Sequence, residues 1–214
     1  MNPVVRVLKG ADLLAHSAAL RAVYLDAFSG PPWNEGEGKA VEFAKRLTLD
    51  VRRPGFTAAL ALAGQEALGF ATAWTTPNPL PTDRCYPQAA AGLGPDRSVD
   101  WLCGAREVDE LAVRGATRGT GLAADLLEAV TADAPEGRSW LLTSVRSGRA
   151  MSFYRRHGWT QATHPSPDGT GIVVFLSPHH PARSLAAPPL TQASSSPASR
   201  RPSAAPPGTA PPAG

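Results

Sequence analysis

Arg118-Gly119-Thr120-Gly121 has the make-up of an anion cradle. The four residues before the flanking Arg114, Glu110-Leu111-Ala112-Val113, alternate as a strand does, with Leu111 and Val113 on one face and Glu110 and Ala112 on the other. Beyond Gly121 the period changes. Leu122, Leu126 and Val130 fall on one line of a helix, with Ala123 and Leu127 beside it. A strand that turns through glycine into a helix leaves backbone N–H groups unpaired at the positive end of the helix dipole. With no Cβ in the way, an anion can reach them. Arg114 and Arg118 flank the turn, so the expected ligand carries phosphate.

Three glycine signatures compete for this turn. A Walker A loop needs GxxxxGK[ST], and the sequence has none. The dinucleotide fingerprint is matched in form by Gly119-Thr-Gly121-Leu-Ala-Ala124. That fingerprint also needs an acid about 20 residues further on for the ribose hydroxyl, and none occurs between Gly137 and Pro167. The third is RxxGxA, Arg118-Gly-Thr-Gly121-Leu-Ala123, which, after the strand residues Leu111-Ala-Val113, resembles the acyl-CoA pyrophosphate loop of the GNAT family of N-acetyltransferases.

The elements that must position this turn follow from the chain in order. Residues 4–8 are a first strand, and 13–28 a helix with Asp12 as a capping acid. The stretch 29–38, Ser-Gly-Pro-Pro-Trp-Asn-Glu-Gly-Glu-Gly, is a loop holding Trp33, Glu35 and Glu37. A second helix spans 39–50, and two strands, 56–62 and 67–75, form a hairpin. Residues 76–104 are a long connection with one short helix near 87–92, the kind of segment that is usually functional or disordered. Next come the strand 107–113, the glycine turn, and a helix that Pro135 stops near Ala134. A strand at 140–145, a helix at 149–157 ended by Gly158, and a strand at 171–176 complete the order βααββ, loop, βαβαβ. This is an α/β (α+β) arrangement, a mixed sheet with helices on its faces.

Composition narrows the rest. Of the 21 basic residues, Arg183, Arg200 and Arg201 lie beyond residue 177, where there is no acid, so residues 1–177 are electrically balanced. No basic face marks a nucleic-acid partner. No 18-residue apolar run predicts a membrane span, and the N-terminus lacks the pattern of a signal peptide. Cys85 and Cys103 are read as reduced thiols of a cytoplasmic protein. The bias to arginine, alanine, proline and glycine points to a GC-rich bacterial genome. Residues 178–214, rich in Pro, Ala and Ser, are expected to form a disordered tail after a domain of residues 1–177. The pair His179-His180 lacks a third ligand, so it is read as solvated and no metal is expected.

A second motif points the same way. Ala150-Met-Ser-Phe153-Tyr154-Arg-Arg-His157-Gly158-Trp159 resembles the AxxFYxxxGF signature after the fifth strand of GNAT acetyltransferases. It follows the RxxGxA turn in the order and at the separation that the family shows. Over residues 4–177 the chain is identified as a bacterial member of the GNAT (GCN5-related) N-acetyltransferase family. The resemblance implies a mostly antiparallel central sheet and acetyl-CoA as co-substrate. The edge of Leu111, Ala112 and Val113 would pair with the pantetheine arm. Gly119, Thr120, Gly121, Leu122 and Ala123 would donate N–H groups to the pyrophosphate beside Arg118, and Arg114 or Arg149 would reach the 3′-phosphate. Tyr154 would protonate the departing thiolate. Glu110 is the first choice of base; Asp109, placed on the opposite face, is second and Glu107 third. Two positions depart from the pattern, Gly115 where proline is common and Ser147 where an asparagine often meets the cofactor.

The activity implied is N-acetyl transfer to a primary amine by direct attack, with Trp33, Glu35 and Glu37 lining the acceptor site for a cationic amine. The acceptor, small molecule or peptide, is left open. The alternative is a non-catalytic acyl-CoA-binding module on the same fold. Members frequently dimerise, so a homodimer is compatible with the resemblance.

Overall fold

Alternation of small and large apolar residues along the strands builds two unlike faces on one sheet. The computed structural model describes residues 3–164 and 171–186. In chain order the elements are β1 (Val4–Leu8), α1 (Ala11–Leu14), α2 (Ser17–Phe28), α3 (Glu37–Asp50), β2 (Thr57–Ala63) and β3 (Glu66–Thr75). The long connection follows, with α4 (Tyr86–Leu93), α5 (Pro95–Arg97) and a wide turn, Ser98–Leu102. Then come β4 (Arg106–Val113), α6 (Leu122–Thr131), β5 (Ser139–Ser144), α7 (Gly148–Arg156), β6 (Thr160–Gln161) and β7 (Ile172–Leu176). The seven strands lie in the order β1-β2-β3-β4-β5-β7-β6. Every neighbouring pair is antiparallel except β4–β5, which is parallel.

One face packs Leu60, Phe70, Trp74 and Ala112 against Leu20, Tyr24, Phe43 and Leu47 of α2 and α3. The other presents Ala59, Ala61, Ala71 and Ala73, whose small side chains let α6 settle close on Leu122, Leu126 and Val130. Gly69 carries this close approach to its limit. A Cβ there would lie 2.9 Å from Leu126 Cδ1 and from the Ala112 carbonyl oxygen.

Several elements differ from the sequence expectation. The helix expected over 13–28 is broken before Ser17, because His16 leaves helical geometry at φ −102°, ψ 8°. Asp12 sits inside the first turn of α1 and makes no capping bond. The 76–104 connection is not a loose loop. Tyr86, Ala89, Leu93, Trp101 and Leu102 form a third core with Trp140, Val174 and Leu176. The folded chain also runs past Ser177. Residues 181–185 make a 3₁₀ turn, Ala182 is buried, and His180, expected to be solvated, is 1 % exposed. Its Nε2 lies 3.0 Å from the Trp101 carbonyl oxygen, and its Nδ1 accepts from the Ala182 N–H. The rest of the expected tail, 187–214, lies outside the described residues. No described helix is long and apolar enough to cross a membrane.

Candidate active site

The site exists because β4 and β5 part company. They pair only from Arg106–Ser139 to Val108–Leu141. At the next residue β4 bulges: Glu110 pairs with Thr72 and Val108 with Ala73, so Asp109 has no partner. Beyond it β4 stays bound to β3 as far as Val113, and β5 to β7 as far as Ser144. The facing edges of the two strands are left unpaired with each other. Leu111, Ala112 and Val113 on one side and Leu142, Thr143 and Ser144 on the other line a cleft of about 1170 Å³.

The glycine turn closes one end of this cleft. Gly121 caps α6 with φ +93°, a left-handed conformation that favours glycine, and Gly119 is also left-handed at φ +83°. A Cβ at either would meet no described residue within 4 Å. Among the described residues, the N–H groups of Gly119, Gly121, Leu122 and Ala123 find no protein acceptor. Thr120 differs from its neighbours. Its N–H and hydroxyl both turn to the Thr117 carbonyl oxygen, at 3.4 and 2.8 Å, and it does not line the cleft. Arg118 lines the cleft and donates to the Ala27 carbonyl oxygen at 3.1 Å. Arg114 is turned away: it donates to the Ala67 carbonyl oxygen and pairs with Asp26 and Glu66. Arg149 and the buried Ser147 line the cleft from the start of α7.

Carboxylates crowd the centre. The bulge flips the alternation, so Asp109 does not point to the face opposite Glu110 as a regular strand would have it. Nη2 of Arg46 lies 2.6 Å from Glu110 Oε1 and 3.8 Å from Asp109 Oδ2. Asp109 also pairs with Arg84, which reaches Asp50 at 3.3 Å, and Asp50 holds Arg53 at 2.7 Å. Burial pushes the Glu110 carboxyl up to about 8; the Asp109 charge pushes the same way and Arg46 opposes it. Burial raises Asp109 too, against Arg84 and Arg46. Burial alone would lower the Arg46 guanidinium, but Asp109, Glu110 and Asp50 hold it above its ordinary value. Glu107 faces away into the core, 6 % exposed, where its carboxylate accepts from Tyr86 Oη at 2.5 Å and from Trp74 Nε1 at 3.2 Å. It does not line the cleft.

Tyr154 stands across from the carboxylates, packed on Phe153, Trp159 and Phe175. Its hydroxyl has no hydrogen-bond partner among the described residues. Burial raises its pKa, and the Glu110 charge raises it further, so the phenol keeps its proton at neutral pH. Phe28, Trp33 and Glu35 also line the cleft, and the Glu35 carboxylate accepts from Tyr24 Oη at 2.5 Å. Glu37 is not among them. It begins α3 on the outer surface and pairs with Arg21. Four residues at this centre were not among the site residues expected from the sequence: Tyr24, Arg46, Arg84 and Cys85. Arg46 had a signal available, the i,i+4 spacing to Asp50 on α3.

The model of the Acetyltransferase (GNAT) family matches residues 18–159, so the chain belongs to the GNAT acetyltransferases. Solved structures share the fold at low identity. A protein from Pyrococcus horikoshii is 17 % identical with a TM-score of 0.55, covering 81 % of this chain and 98 % of its own. An acetyltransferase from Thermus thermophilus is 16 % identical at 0.52, covering 82 % and 96 %. PaiA N-acetyltransferase from Thermoplasma acidophilum, in complex with coenzyme A, is 12 % identical at 0.50, covering 83 % and 99 %. No curated protein matches the sequence.

Proposed function

We propose that this protein moves the acetyl group of acetyl-CoA to a primary amine by direct attack within a ternary complex. One observation carries the proposal: the gap between β4 and β5 joins an unpaired glycine turn at one end to Glu110 and Tyr154 within a single cleft. The turn fits the co-substrate by its own chemistry. Gly119, Gly121, Leu122 and Ala123 offer four N–H groups with no acceptor among the described residues, at a helix N-terminus, the arrangement that binds pyrophosphate. Arg118 adds charge, the unpaired edge of Leu111, Ala112 and Val113 suits an amide-bearing pantetheine arm, and Arg149 suits the 3′-phosphate. Bound acetyl-CoA supplies an acyl group activated as a thioester.

The chain does the rest. Holding the two reactants in line accounts for much of the acceleration. Glu110 takes a proton from the ammonium, freeing the nitrogen lone pair for the carbonyl carbon. As the C–S bond breaks, Tyr154 gives its phenolic proton to the sulfur, the nitrogen sheds its second proton to solvent as the amide forms, and Tyr154 later regains a proton from solvent. Trp33 and Glu35 face the acceptor, an aromatic and a carboxylate suited to a cationic amine. The test is acetyl-CoA with a panel of primary amines, following free thiol and the mass of the product. Amine-dependent thiol release with an acetylated product supports the reading. Binding of acetyl-CoA without transfer to any amine would replace it with a non-catalytic module.

A further inference from the structure

The long connection between β3 and β4 delivers one side chain into the catalytic carboxylates. Arg84 sits there at φ +52°, a left-handed backbone that a non-glycine residue adopts only when its surroundings hold it. Its guanidinium lies 4.9 Å from the Trp74 ring centroid, pairs with Asp50 at 3.3 Å and pairs with Asp109. We propose that Arg84 is a positioning residue: by clamping Asp109 it leaves Glu110, and not its neighbour, as the carboxylate that takes up the ammonium proton. The proposal rests on the acetyl-transfer reading above.

Two adjacent carboxylates buried in one place cannot both ionise freely, so the proton goes to whichever has less cationic support. The groups facing the pair set that balance. Asp50 and Arg46 come from α3, Arg53 from just beyond it, Tyr24 from α2, Arg84 and Cys85 from the connection, Glu107 from β4 and Tyr154 from α7. Of the cations, Arg53 is held by Asp50. Asp109 has two arginines within ion-pair distance, Arg84 and Arg46. Among the described residues Glu110 has Arg46 alone, and that guanidinium is shared with Asp50 and Asp109. Without Arg84 the ordering fails: Asp109 competes for the proton, from a bulge position where it has no strand partner.

The experiment compares Arg84→Met, Arg84→Gln and Arg84→Lys with the wild type in the full chain. Carbon NMR titration of the side-chain carboxyls reads the order of ionisation directly, without need of turnover. In the wild type, Asp109 ionises below Glu110. In Arg84→Met the Asp109 titration moves up and the two midpoints close or cross, while Arg84→Lys restores the order. The pH profile of acetyl transfer then moves with the Glu110 midpoint, with a roughly tenfold change in activity at neutral pH for each unit of its displacement. Acetyl-CoA affinity stays within about twofold of wild type, since the partners of Arg84, Asp50, Asp109 and Trp74, are not residues of the glycine turn. Unchanged carboxyl midpoints in Arg84→Met and Arg84→Gln would overturn the proposal, whatever happens to the melting temperature. Failure of the acetyl-transfer reading looks different: Glu110→Gln would retain the pH limb, while in chains that keep Glu110 the Arg84 substitutions would still shift the carboxyl midpoints.

Discussion

Asp109 and Glu110 are consecutive residues of one strand, yet both present carboxylate oxygens to the same nitrogen of Arg46, at 3.8 and 2.6 Å. A regular strand would send them to opposite faces of the sheet. The bulge that brings them together is also where β4 leaves β5, so one backbone irregularity makes both the acid–base centre and the gap in front of it.

Glu110 carries the first prediction. Its carboxyl is pushed up to about 8, chiefly by burial, and only its ionised form accepts a proton. Turnover should therefore rise with pH through about 8 and then level. Glu110→Gln should cost about a hundredfold or more at the plateau and flatten that limb, the size expected of a lost general base. A pH–rate profile unchanged in the variant would assign the proton to water or another group.

Tyr154 separates binding from chemistry. Tyr154→Phe keeps the ring against Phe153, Trp159 and Phe175 and removes only the hydroxyl. Turnover should fall by about a hundredfold while the acetyl-CoA dissociation constant holds. Steady-state kinetics beside a direct binding titration reads both, and wild-type turnover in the variant would remove Tyr154 from the mechanism.

His180 gives a prediction about stability. Burial lowers its pKa below that of an exposed histidine, against the opposing pull of the Trp101 carbonyl, and Arg138 lowers it further. The unfolded chain therefore binds the proton first as pH falls, so stability rises with pH in this window. The contribution is complete above about 6.5 and is lost as pH falls from there toward the depressed folded value. Thermal unfolding followed from pH 7.5 down to 5 should show this loss in the wild type and a flatter profile in His180→Asn. Parallel profiles would mean that the acid sensitivity comes from elsewhere.

The local features of this chain were legible in the sequence, and the long-range ones were not. The glycine turn and α7 are specified by residues close together, so period and punctuation place them within a residue or two. The bulge at Asp109 leaves no trace in period-2 alternation, because it is set by pairing with Thr72 and Ala73 more than thirty residues away. Arg84 lies in a stretch with no periodicity, and only the packing of Tyr86 and its neighbours on Trp140 and Val174 fixes where it points. Glu37 read as a companion of Glu35 because the two are close in sequence. The start of α3 between them sends Glu37 to the surface beside Arg21. His180 read as solvated because its neighbours are prolines and small residues, while the carbonyl that receives it belongs to Trp101.

The central claim is that the glycine turn holds acetyl-CoA, and thermal unfolding with and without that ligand tests it most directly. NAD serves as control, since the same turn matches a dinucleotide fingerprint in form. A ligand bound only to the folded state at a hundredfold excess over its dissociation constant adds about 2.7 kcal/mol. The account predicts a clear rise in melting temperature with acetyl-CoA and none with NAD. No shift at millimolar acetyl-CoA, or a shift with NAD instead, would contradict it.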